Sequence, residues 1–370
     1  MTSGIDDGSA NSVLVVQASG SYPVYFAPGI LSRLSELVAR HLPSRRVIML
    51  ADQEVLRLSQ AGKLGGLKWA GETLTFPSGE ESKTREWWGR LTDAMLERRY
   101  GRDSGIIGLG GGVAGDLSGF VAATYMRGIP HLQVPTTLLA MLDASVGGKT
   151  GINTPVGKNL VGAFHPPVAV VADALVLATL PDRAYRAGLA EAVKHGLIAD
   201  ADYFAWMEQQ TGALLARDPA ALAYLVRRSV EIKAQVVAAD ERETGQRAVL
   251  NAGHTVAHAL ERVFQYQLPH GEAVALGLLA ECALAEQLGV ARSGVRSRLA
   301  ALLGELGLPT RLPQSADTAS LLASMTGDKK NRQGATHFTL VTEIGRMHQV
   351  NGWSVPVMST DIARALATIG

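Results

Sequence analysis

Three histidines and one glutamate in the second half of the chain have the types and spacing of a metal site. His254 and His258 are four residues apart in NAGHTVAHALE, His270 follows in LPHGEAV, and Glu191 stands three residues before Lys194 in GLAEAVKHG. Residues three or four apart share one helix face. Two imidazoles on one face, near a third and a carboxylate, are ligands typical of zinc or a similar ion. The pattern alone predicts that His254 and His258 are both ligands; the alternative is a structural histidine cluster.

A second candidate site is the stretch DASVGGKTGINTPVGKN, residues 143–159, which contains four glycines and two lysines. It shows neither helical nor strand periodicity. Glycines let backbone N–H groups approach an anion, and lysines add positive charge, so the stretch predicts an anion site. It does not fit the phosphate loop of ATPases, because Asp143 replaces the first glycine and chain breakers follow Lys149, where that motif needs a helix.

A glycine fingerprint lies in SGIIGLGGGVAGD, residues 104–116. A β-rich run is followed by Gly110, Gly112 and Gly115 at G-x-G-x-x-G spacing, and then by a helical pattern. A tight turn before a helix N-terminus suits a dinucleotide pyrophosphate, but the ribose-binding acid expected about 20 residues later is missing. Asp52, at the end of an earlier predicted strand, is the candidate for that role. A structural turn without a ligand is the alternative.

Two further loops begin with polar residues after predicted strands. These are PSGEESKT, with Glu80 and Lys83, and PTT, with Thr136 and Thr137. Ligands in open α/β sheets bind beyond the carboxyl ends of the strands, although such residues are also common helix caps.

The segment ADERETGQRAVLNAGH is dense in charge. Arg247 and Asn251 are four residues apart, and Glu243 lies four residues before Arg247. Helical spacing would place these residues on one face, either as ligand contacts or as an intrahelical ladder of ion pairs.

The elements that must position these residues change type midway along the chain. In the first half, helical patterns lie between several short β-rich runs, which predicts an α/β domain with a largely parallel sheet. The runs are SVLVVQ, RRVIML, ETLTFP, SGIIGLG, HLQVP and VAVVAD. From about residue 182 to 330 the pattern is amphipathic helix, followed by short strands at THFTLVT and MHQVNG. We therefore predict a nucleotide-binding α/β domain at 13–180 and a mainly helical metal- and substrate-binding domain at 181–370, with residues 1–12 disordered.

Bulk properties narrow the class of protein. The chain has 370 residues, 47% of them hydrophobic, and a net charge of +1. This size suggests about two domains, and the balanced charge gives no electrostatic reason to expect nucleic acid or an anionic membrane as a partner. Cys282 is the single cysteine, so an intrachain disulfide and a cysteine zinc site are excluded. With no signal-peptide or membrane-span pattern, we expect a cytoplasmic protein.

Taken in chain order, these motifs resemble the 3-dehydroquinate synthase family from about residue 45 to 345. The stretches that carry the resemblance are PSGEESKT, LGGGVAGDLSGF, QVPTTLLAMLDASVGGKTGINTPVGKNLVGAFHPP, GLAEAVKHG, EIKAQVVAADERETGQRAVLNAGHTVAHALE, LPHGEAVALG and GDKKNRQG. The resemblance implies an enzyme that converts 3-deoxy-D-arabino-heptulosonate 7-phosphate to 3-dehydroquinate and phosphate, in the shikimate pathway. It also implies NAD⁺ that is regenerated in each turnover and one divalent metal, zinc or cobalt.

The resemblance further implies roles for individual residues. Glu191, His254 and His270 are the implied metal ligands, which makes His258 an acid–base residue rather than a fourth ligand, and Glu243 a second proton acceptor. The implied substrate contacts are Arg127, Asp143, Lys149, Lys158, Asn159, Lys194, Lys233, Arg247, Asn251 and Lys329, with Lys330 as the alternative to Lys329. Asp143, Lys149 and Asn159 in this set are also expected to be catalytic. The implied NAD contacts are Asp52, Glu80, Lys83, Gly111, Gly112, Val113, Asp116, Thr136, Thr137 and Thr179. Arg127 resembles a phosphate contact made across a dimer interface, so a homodimer is implied.

Three alternative functions remain at this point. A sister sugar-phosphate cyclase, including one with an aminated substrate, would share most of these motifs. A metal-dependent NAD polyol dehydrogenase would not need the phosphate-binding lysines. A non-catalytic NAD-binding protein would not need the intact ligand set of Glu191, His254 and His270.

Overall fold

The computed structural model of the protein describes residues 12–326 and 336–370. The segment 1–12, predicted to be disordered, lies outside the described residues except for Ser12. Packing divides the chain into two compact units. Unit 1 comprises Met1–Pro181 and Leu222–Ala238, and unit 2 comprises Asp182–Ala221 and Ala239–Gly370.

The segment Leu222–Ala238 belongs to unit 1, whereas a single boundary near residue 180 would assign it to the second domain. Its Lys233 contacts Asp143 within unit 1, with the Lys233 Nζ and Asp143 Oδ1 atoms 2.8 Å apart. Packing, and not chain order, decides the membership of this segment.

Unit 1 is built on a seven-stranded sheet. The strands of unit 1 are β1 (Ser12–Gln17), β2 (Gly20–Phe26), β3 (Arg46–Asp52), β4 (Glu72–Phe76), β5 (Ser104–Gly110), β6 (His131–Pro135), β7 (Lys149–Thr154), β8 (Gly157–Phe164) and β9 (Ala169–Ala172). The order in the large sheet is β1-β2-β9-β6-β5-β3-β4. β1 is antiparallel to β2, and the five other pairings are parallel. The predicted α/β class with a largely parallel sheet is confirmed.

The strands at the centre of this sheet are continuous buried runs. Every residue of β5 and of β9 is buried. Parallel strands covered by helices on both faces need such apolar runs. The helices of this part of the chain are α1 (Leu34–His41), α2 (Gln53–Gln60), α3 (Arg85–Glu97) and α4 (Gly112–Thr124).

The glycine-rich stretch at 143–159 forms a β-hairpin in its second half, which the sequence pattern did not predict. β7 and β8 pair antiparallel, with Gly151 opposite Gly162. A methyl group added to Gly151 would lie 2.7 Å from the carbonyl oxygen of Val161, and one added to Gly162 would lie 2.1 Å from that of Thr150. These glycines permit a backbone approach that side chains would block, and they also hide the usual strand pattern.

The sheet changes its winding direction between two adjacent strands. From β3 the chain moves outward to β4, whereas from β5 it moves to β6 on the opposite side. Between β3 and β5, connecting segments therefore diverge and leave a crevice at the carboxyl ends of the strands, which is where open α/β sheets bind ligands. Asp52 ends β3 and Gly110 ends β5 at this crevice.

Unit 2 is mainly helical, as predicted. The remaining helices of the chain are α5 (Asp182–Ala199), α6 (Ala201–Gln209), α7 (Thr211–Leu215), α8 (Pro219–Ala239), α9 (His254–Val263), α10 (His270–Gln287), α11 (Val295–Glu305), α12 (Thr318–Thr326) and α13 (Ser359–Ala367). None of the helices in the described part of the chain combines the length and apolarity needed to span a bilayer.

Four short strands complete unit 2. They are β10 (Thr336–Phe338), β11 (Val341–Glu343), β12 (Arg346–Met347) and β13 (Val355–Val357). The prediction of one strand pair here was incomplete, because THFTLVT contains two strands with different partners. β10 pairs with β13, and β11 pairs with β12.

Candidate active site

Three helices of unit 2 bring together a carboxylate and two imidazoles. Glu191 lies on α5, His254 opens α9 and His270 opens α10. The Glu191 Oε1 atom lies 3.4 Å from the His270 Nε2 atom and 3.8 Å from the His254 Nε2 atom. Ligand atoms about 2.0–2.1 Å from a tetrahedral zinc ion stand about 3.3 Å apart. The three side chains, whose ligand atoms all lie within 4.8 Å of one another, therefore fit a single divalent ion.

Contacts behind the two imidazoles orient their rings. The His254 Nδ1 atom lies 3.1 Å from the carbonyl oxygen of Ala252, so Nδ1 carries the proton and Nε2 can serve as a ligand. The His270 Nδ1 atom faces a second buried carboxylate, Glu261 on α9, with the Glu261 Oε1 atom 3.6 Å away. Both histidines thus present Nε2 toward Glu191.

The pKa values of the two histidines shift in opposite directions. Burial, reinforced by Lys194, lowers the pKa of His254 to about 3. Burial also disfavours the charged form of His270, but contacts with Glu191 and Glu261 outweigh it and raise the pKa of His270 to about 9. Two carboxylates thus face the His270 ring, one from each side of the imidazole, and they favour a positive charge at the place where a bound cation would lie.

Two glycines of α10 allow the ligand-bearing segments to approach closely. A methyl group on Gly271 would lie 1.8 Å from the carbonyl oxygen of Ala187 on α5. One on Gly277 would lie 1.9 Å from the carbonyl oxygen of Gly253, the residue before His254. Backbone contacts at these two points hold the three ligands in one place, because no side chain separates the segments.

His258 and Lys194 lie beside this ligand group. His258 is half-buried on α9, and its ring centroid is 5.5 Å from that of His254. Among the described residues, the group of neighbouring ligand atoms in unit 2 contains Glu191, His254 and His270 and does not contain His258. The pair of histidine ligands predicted from helical spacing alone is therefore not the arrangement found. Lys194 is buried and forms an ion pair with Glu191.

The loop after α8 carries Glu243, Arg247 and Asn251 and is not an α-helix. Residues 246–251 form a 3₁₀ turn, and Glu243 has a left-handed backbone with φ of 59°. The Asn251 side-chain amide donates to the Glu243 Oε1 atom over 2.7 Å, whereas the Arg247 guanidinium donates to the Glu241 carbonyl. The helical spacing assumed for Glu243 and Arg247 was wrong, because Asp240 accepts bonds from the loop backbone and folds it differently.

Asp240 organises this loop through both carboxylate oxygens. They accept from the backbone N–H groups of Thr244, Gly245 and Arg247 at 3.0, 2.7 and 3.0 Å. Although burial opposes it, these bonds lower the pKa of the Asp240 carboxyl. Arg247 is buried, and Asp240 fixes its position by accepting from its backbone N–H group.

In unit 1, the glycine fingerprint forms the turn between β5 and α4. Gly110 has φ of 149°, and a methyl group there would lie 2.6 Å from the Ala114 Cβ atom and 3.0 Å from the Asp52 Cβ atom. Among the described residues, no side chain caps the N-terminus of α4 at Gly111. Its free first-turn N–H groups fit a pyrophosphate. The bare backbone at Gly110–Gly112, with Val113 in the first turn, therefore suits a dinucleotide.

Asp52 lies on the strand next to this turn. β3 and β5 are hydrogen-bonded neighbours, which places Asp52 beside Gly110. The Asp52 Oδ1 atom caps α2, accepting from the N–H groups of Glu54 and Val55. An open groove of about 610 Å³ lies next to it and is lined by residues of α2, of β4 and of the loop after β4. This volume lies in the range of small-ligand sites.

The other candidate NAD contacts follow the carboxyl ends of neighbouring parallel strands. Thr136 and Thr137 come after β6, and Thr179 ends a 3₁₀ segment after β9. The Thr136 N–H group donates to the Gly110 carbonyl over 2.9 Å. The candidate contacts thus follow the carboxyl ends of five neighbouring strands, β9, β6, β5, β3 and β4, and lie on the same side of the sheet.

The buried Lys83 contacts both a candidate NAD residue and a candidate substrate residue of unit 1. The Lys83 Nζ atom forms an ion pair with Asp116 on α4 and donates to the Asn159 Oδ1 atom over 2.5 Å. Burial raises the pKa of the Asp116 carboxyl, and Lys83 opposes that rise. The Glu80 Oε1 atom accepts a bond from the side-chain amide of Asn153 over 2.7 Å.

The remaining substrate candidates of unit 1 occupy turns and strand ends. Asp143 lies in a π-helical turn, a feature often found at functional sites, and the Lys233 Nζ atom donates to its backbone carbonyl over 2.5 Å. Arg127 has φ of 70° in the turn after α4. Lys149 begins β7 and Lys158 lies near the start of β8. Lys329 and its alternative Lys330 lie outside the described residues.

Three residues with structural roles at these sites were missed by the sequence reasoning. They are Asn153, Asp240 and Glu261. Each of the three lies within one of the sequence motifs, but its importance comes from tertiary contacts. For Glu261, a spacing of seven residues from His254 was the available signal, since it places both on one face of α9.

Family comparisons cover both units. The family model described as 3-dehydroquinate synthase N-terminal matches residues 73–187, and the one described as 3-dehydroquinate synthase C-terminal matches residues 188–331. The curated 3-dehydroquinate synthase of Symbiobacterium thermophilum is 47% identical over 331 residues, which cover 88% of this chain and 92% of that protein.

Two solved structures share the architecture and carry ligands of the expected kinds. One is 2-deoxy-scyllo-inosose synthase complexed with carbaglucose-6-phosphate, NAD⁺ and Co²⁺, with a TM-score of 0.86 at 26% identity, covering 96% of this chain and 99% of that one. The other is 2-epi-5-epi-valiolone synthase from Streptomyces hygroscopicus with NAD⁺ and Zn²⁺, with a TM-score of 0.81 at 28% identity, covering 94% and 96%. On its matches to both family models and to curated relatives, the chain belongs to the 3-dehydroquinate synthase family.

Proposed function

We propose that this protein converts 3-deoxy-D-arabino-heptulosonate 7-phosphate to 3-dehydroquinate and phosphate, the second step of the shikimate pathway. The observation that carries the proposal is the group of Glu191, His254 and His270, whose ligand atoms lie within 4.8 Å of one another, in a chain that belongs to the 3-dehydroquinate synthase family. The reaction is a carbon–oxygen lyase reaction in which a transient oxidation activates phosphate elimination, followed by reduction and an intramolecular aldol closure.

When bound, the divalent ion supplies a Lewis acid for substrate oxygens, and NAD⁺ supplies a hydride acceptor that is regenerated in each turnover. Glu191, His254 and His270 would hold the ion, and three protein ligands would leave coordination positions open, as catalytic zinc sites do. Gly111 and Gly112 would hold the pyrophosphate of NAD at the N-terminus of α4, with Asp52 on the adjacent strand for the ribose.

The chain's own charged residues would bind and orient the sugar acid. Asp143, Lys149, Lys158, Asn159 and Lys233 supply charged and polar groups in unit 1. Those of unit 2 are Lys194, Arg247 and Asn251. Holding one substrate in one pose by many charge-assisted contacts favours several easy steps in succession.

His258 and Glu243 are the proposed proton-exchanging residues. His258 is half-buried beside His254, which leaves part of its ring accessible. The Glu243 carboxylate is held by Asn251, and its left-handed backbone is a strained conformation of the kind found at functional sites.

We also propose that the protein works as a cytoplasmic homodimer. Arg127, the candidate phosphate contact across a dimer interface, has a left-handed backbone next to Met126, which has φ of 50°. Two consecutive residues in that conformation are costly and give the turn a fixed shape.

The test is phosphate release from 3-deoxy-D-arabino-heptulosonate 7-phosphate by the purified protein with NAD⁺ and Zn²⁺, repeated after EDTA and after Co²⁺ is added back. We expect metal-dependent phosphate release with no accumulation of NADH, and dehydroquinate as the product. Net NADH without phosphate would point instead to a dehydrogenase. Activity on another sugar phosphate alone would point to a sister cyclase.

A further inference from the structure

Asn153 lies in β7 and touches two sets of candidate ligand contacts in unit 1. Its Nδ2 atom donates to the Glu80 Oε1 atom over 2.7 Å. Its Oδ1 atom accepts from the backbone N–H group of Asn159 over 3.0 Å. Its own backbone N–H group donates to the Lys83 carbonyl over 2.7 Å. One residue therefore joins the loop after β4, which carries two candidate NAD contacts, to a candidate substrate contact in β8.

The segment that Asn153 holds is conformationally strained. Asn159 has φ of 56°, in the left-handed region. Such a backbone persists only where its surroundings fix it. The bond from the Asn159 N–H group to Asn153 fixes its backbone, and the bond from Lys83 fixes its side chain. The direction of the Asn159 amide thus depends on the same loop that presents Glu80.

The contact geometry requires a side chain that both donates and accepts. A carboxamide does so, whereas a carboxylate is acceptor-only and would stand against Glu80. The neighbouring Thr154 provides a contrast, because its hydroxyl donates to the Gly157 carbonyl over 3.1 Å, a bond that stays within the hairpin turn.

We propose that Asn153 is a positioning residue that holds the candidate NAD contact Glu80 and the candidate substrate contact Asn159 in one arrangement. This inference rests on the proposed function, since it assigns Asn153 to the same reaction. Loss of the Asn153 amide weakens the binding of both ligands together, because its Nδ2 and Oδ1 atoms hold one contact each.

The experiment compares Asn153→Ala and Asn153→Asp with Thr154→Val as the matched control in the same hairpin. The NAD⁺ dissociation constant is measured by calorimetry on the metal-loaded protein, and KM and kcat by phosphate release. For Asn153→Ala we expect both the NAD⁺ dissociation constant and KM to rise by about 5- to 20-fold, with a smaller change in kcat. Asn153→Asp weakens NAD⁺ binding further, because it places two carboxylates together. Thr154→Val leaves both constants within about twofold of the parent.

A purely structural role predicts a lower melting temperature with unchanged ligand constants, and that result would overturn the proposal. A rise in only one of the two constants would overturn the joint positioning of Glu80 and Asn159. Hydrogen exchange at the Asn159 amide gives a readout independent of turnover, and we expect faster exchange in Asn153→Ala. If the parent protein releases no phosphate, the proposed function fails, while NAD⁺ binding and Asn159 exchange still decide the role of Asn153.

Discussion

The His131–His165 pair of unit 1 and the His254–His270 pair of unit 2 are packed at similar ring distances but have different chemical surroundings. In unit 1, His131 and His165 stack with their centroids 5.2 Å apart and their planes 15° apart. In unit 2, the His254 and His270 rings are 5.3 Å apart and tilted by 57°. Ring proximity alone therefore does not distinguish a structural pair from a metal site.

The surrounding carboxylates make the difference. His131 is fully buried on β6, and burial followed by the nearby His165 lowers its pKa to about 3. The His270 side chain is 31% exposed, and Glu191 and Glu261 raise its pKa to about 9 although burial opposes the charged form. An imidazole beside buried carboxylates occupies a place where a cation is stabilised, whereas a buried imidazole beside an amide and a second imidazole gains no compensating negative charge. Clustered histidines thus indicate a candidate metal site when carboxylates accompany them.

The largest expected effect comes from removing one of the three candidate metal ligands, Glu191, His254 and His270. His270→Ala should lower turnover by about a thousandfold or more, because two protein ligands hold a catalytic ion poorly. Metal content measured by plasma mass spectrometry should fall with activity, while NAD⁺ still binds. His165→Ala is the matched control from the other histidine pair, and it should retain metal. Full turnover by metal-free His270→Ala would remove the distinction between the two pairs.

A second prediction concerns the backbone contact that places His270. Gly271→Ala adds a methyl group 1.8 Å from the Ala187 carbonyl and so must push α10 away from α5. Displacing a ligand by about 1 Å should lower turnover by about a hundredfold. Gly212→Ala in α7 makes the same substitution where nothing lies within 4 Å, and it should leave turnover unchanged. Equal kinetics for the two variants would contradict the role given to Gly271.

Glu261→Gln tests the role of the second carboxylate, and we expect a smaller effect than for the two previous variants. It keeps the shape of the side chain but removes the charge that faces the His270 Nδ1 atom. Metal affinity, measured by competition with a chromogenic chelator, should fall about tenfold. Turnover at saturating metal should stay close to the parent value. An unchanged metal affinity would show that Glu261 does not help to stabilise the bound ion and that Glu191 alone supplies the negative charge.

The smallest effect should appear in the pH dependence of stability that His131 contributes. Because the pKa of His131 is lowered to about 3, the unfolded chain binds more protons than the folded one between that value and about 6.5. The contribution of His131 to stability is therefore present above about pH 6.5 and is lost as the pH falls, at up to about 1.4 kcal/mol per pH unit. Urea unfolding of His131→Gln should show a shallower loss of stability between pH 6 and about 4.5 than the parent protein. Parallel curves for the two proteins would show that His131 does not titrate as its burial requires.

Much of the fold follows from local sequence patterns. The six predicted β-rich runs all contain observed strands, and the glycine fingerprint forms the turn between β5 and α4. These features depend on side-chain alternation and on turn residues, which act over a few positions. Helical spacing alone predicted His254 and His258 as metal ligands. The family resemblance implied Glu191, His254 and His270 instead.

The sequence by itself determined which residue types were available for the chemistry, because periodicity and turn composition are local properties. Tertiary structure decided which of them meet. Asp52 reaches the glycine turn because β3 and β5 pair in the sheet, and Glu191 reaches His270 because α5 and α10 touch through Gly271. The β7–β8 hairpin and the Asp240 loop likewise depend on close backbone approach and on a carboxylate that accepts several N–H groups. Such contacts join residues far apart in the chain, so their physical cause lies in packing, beyond the reach of any local pattern.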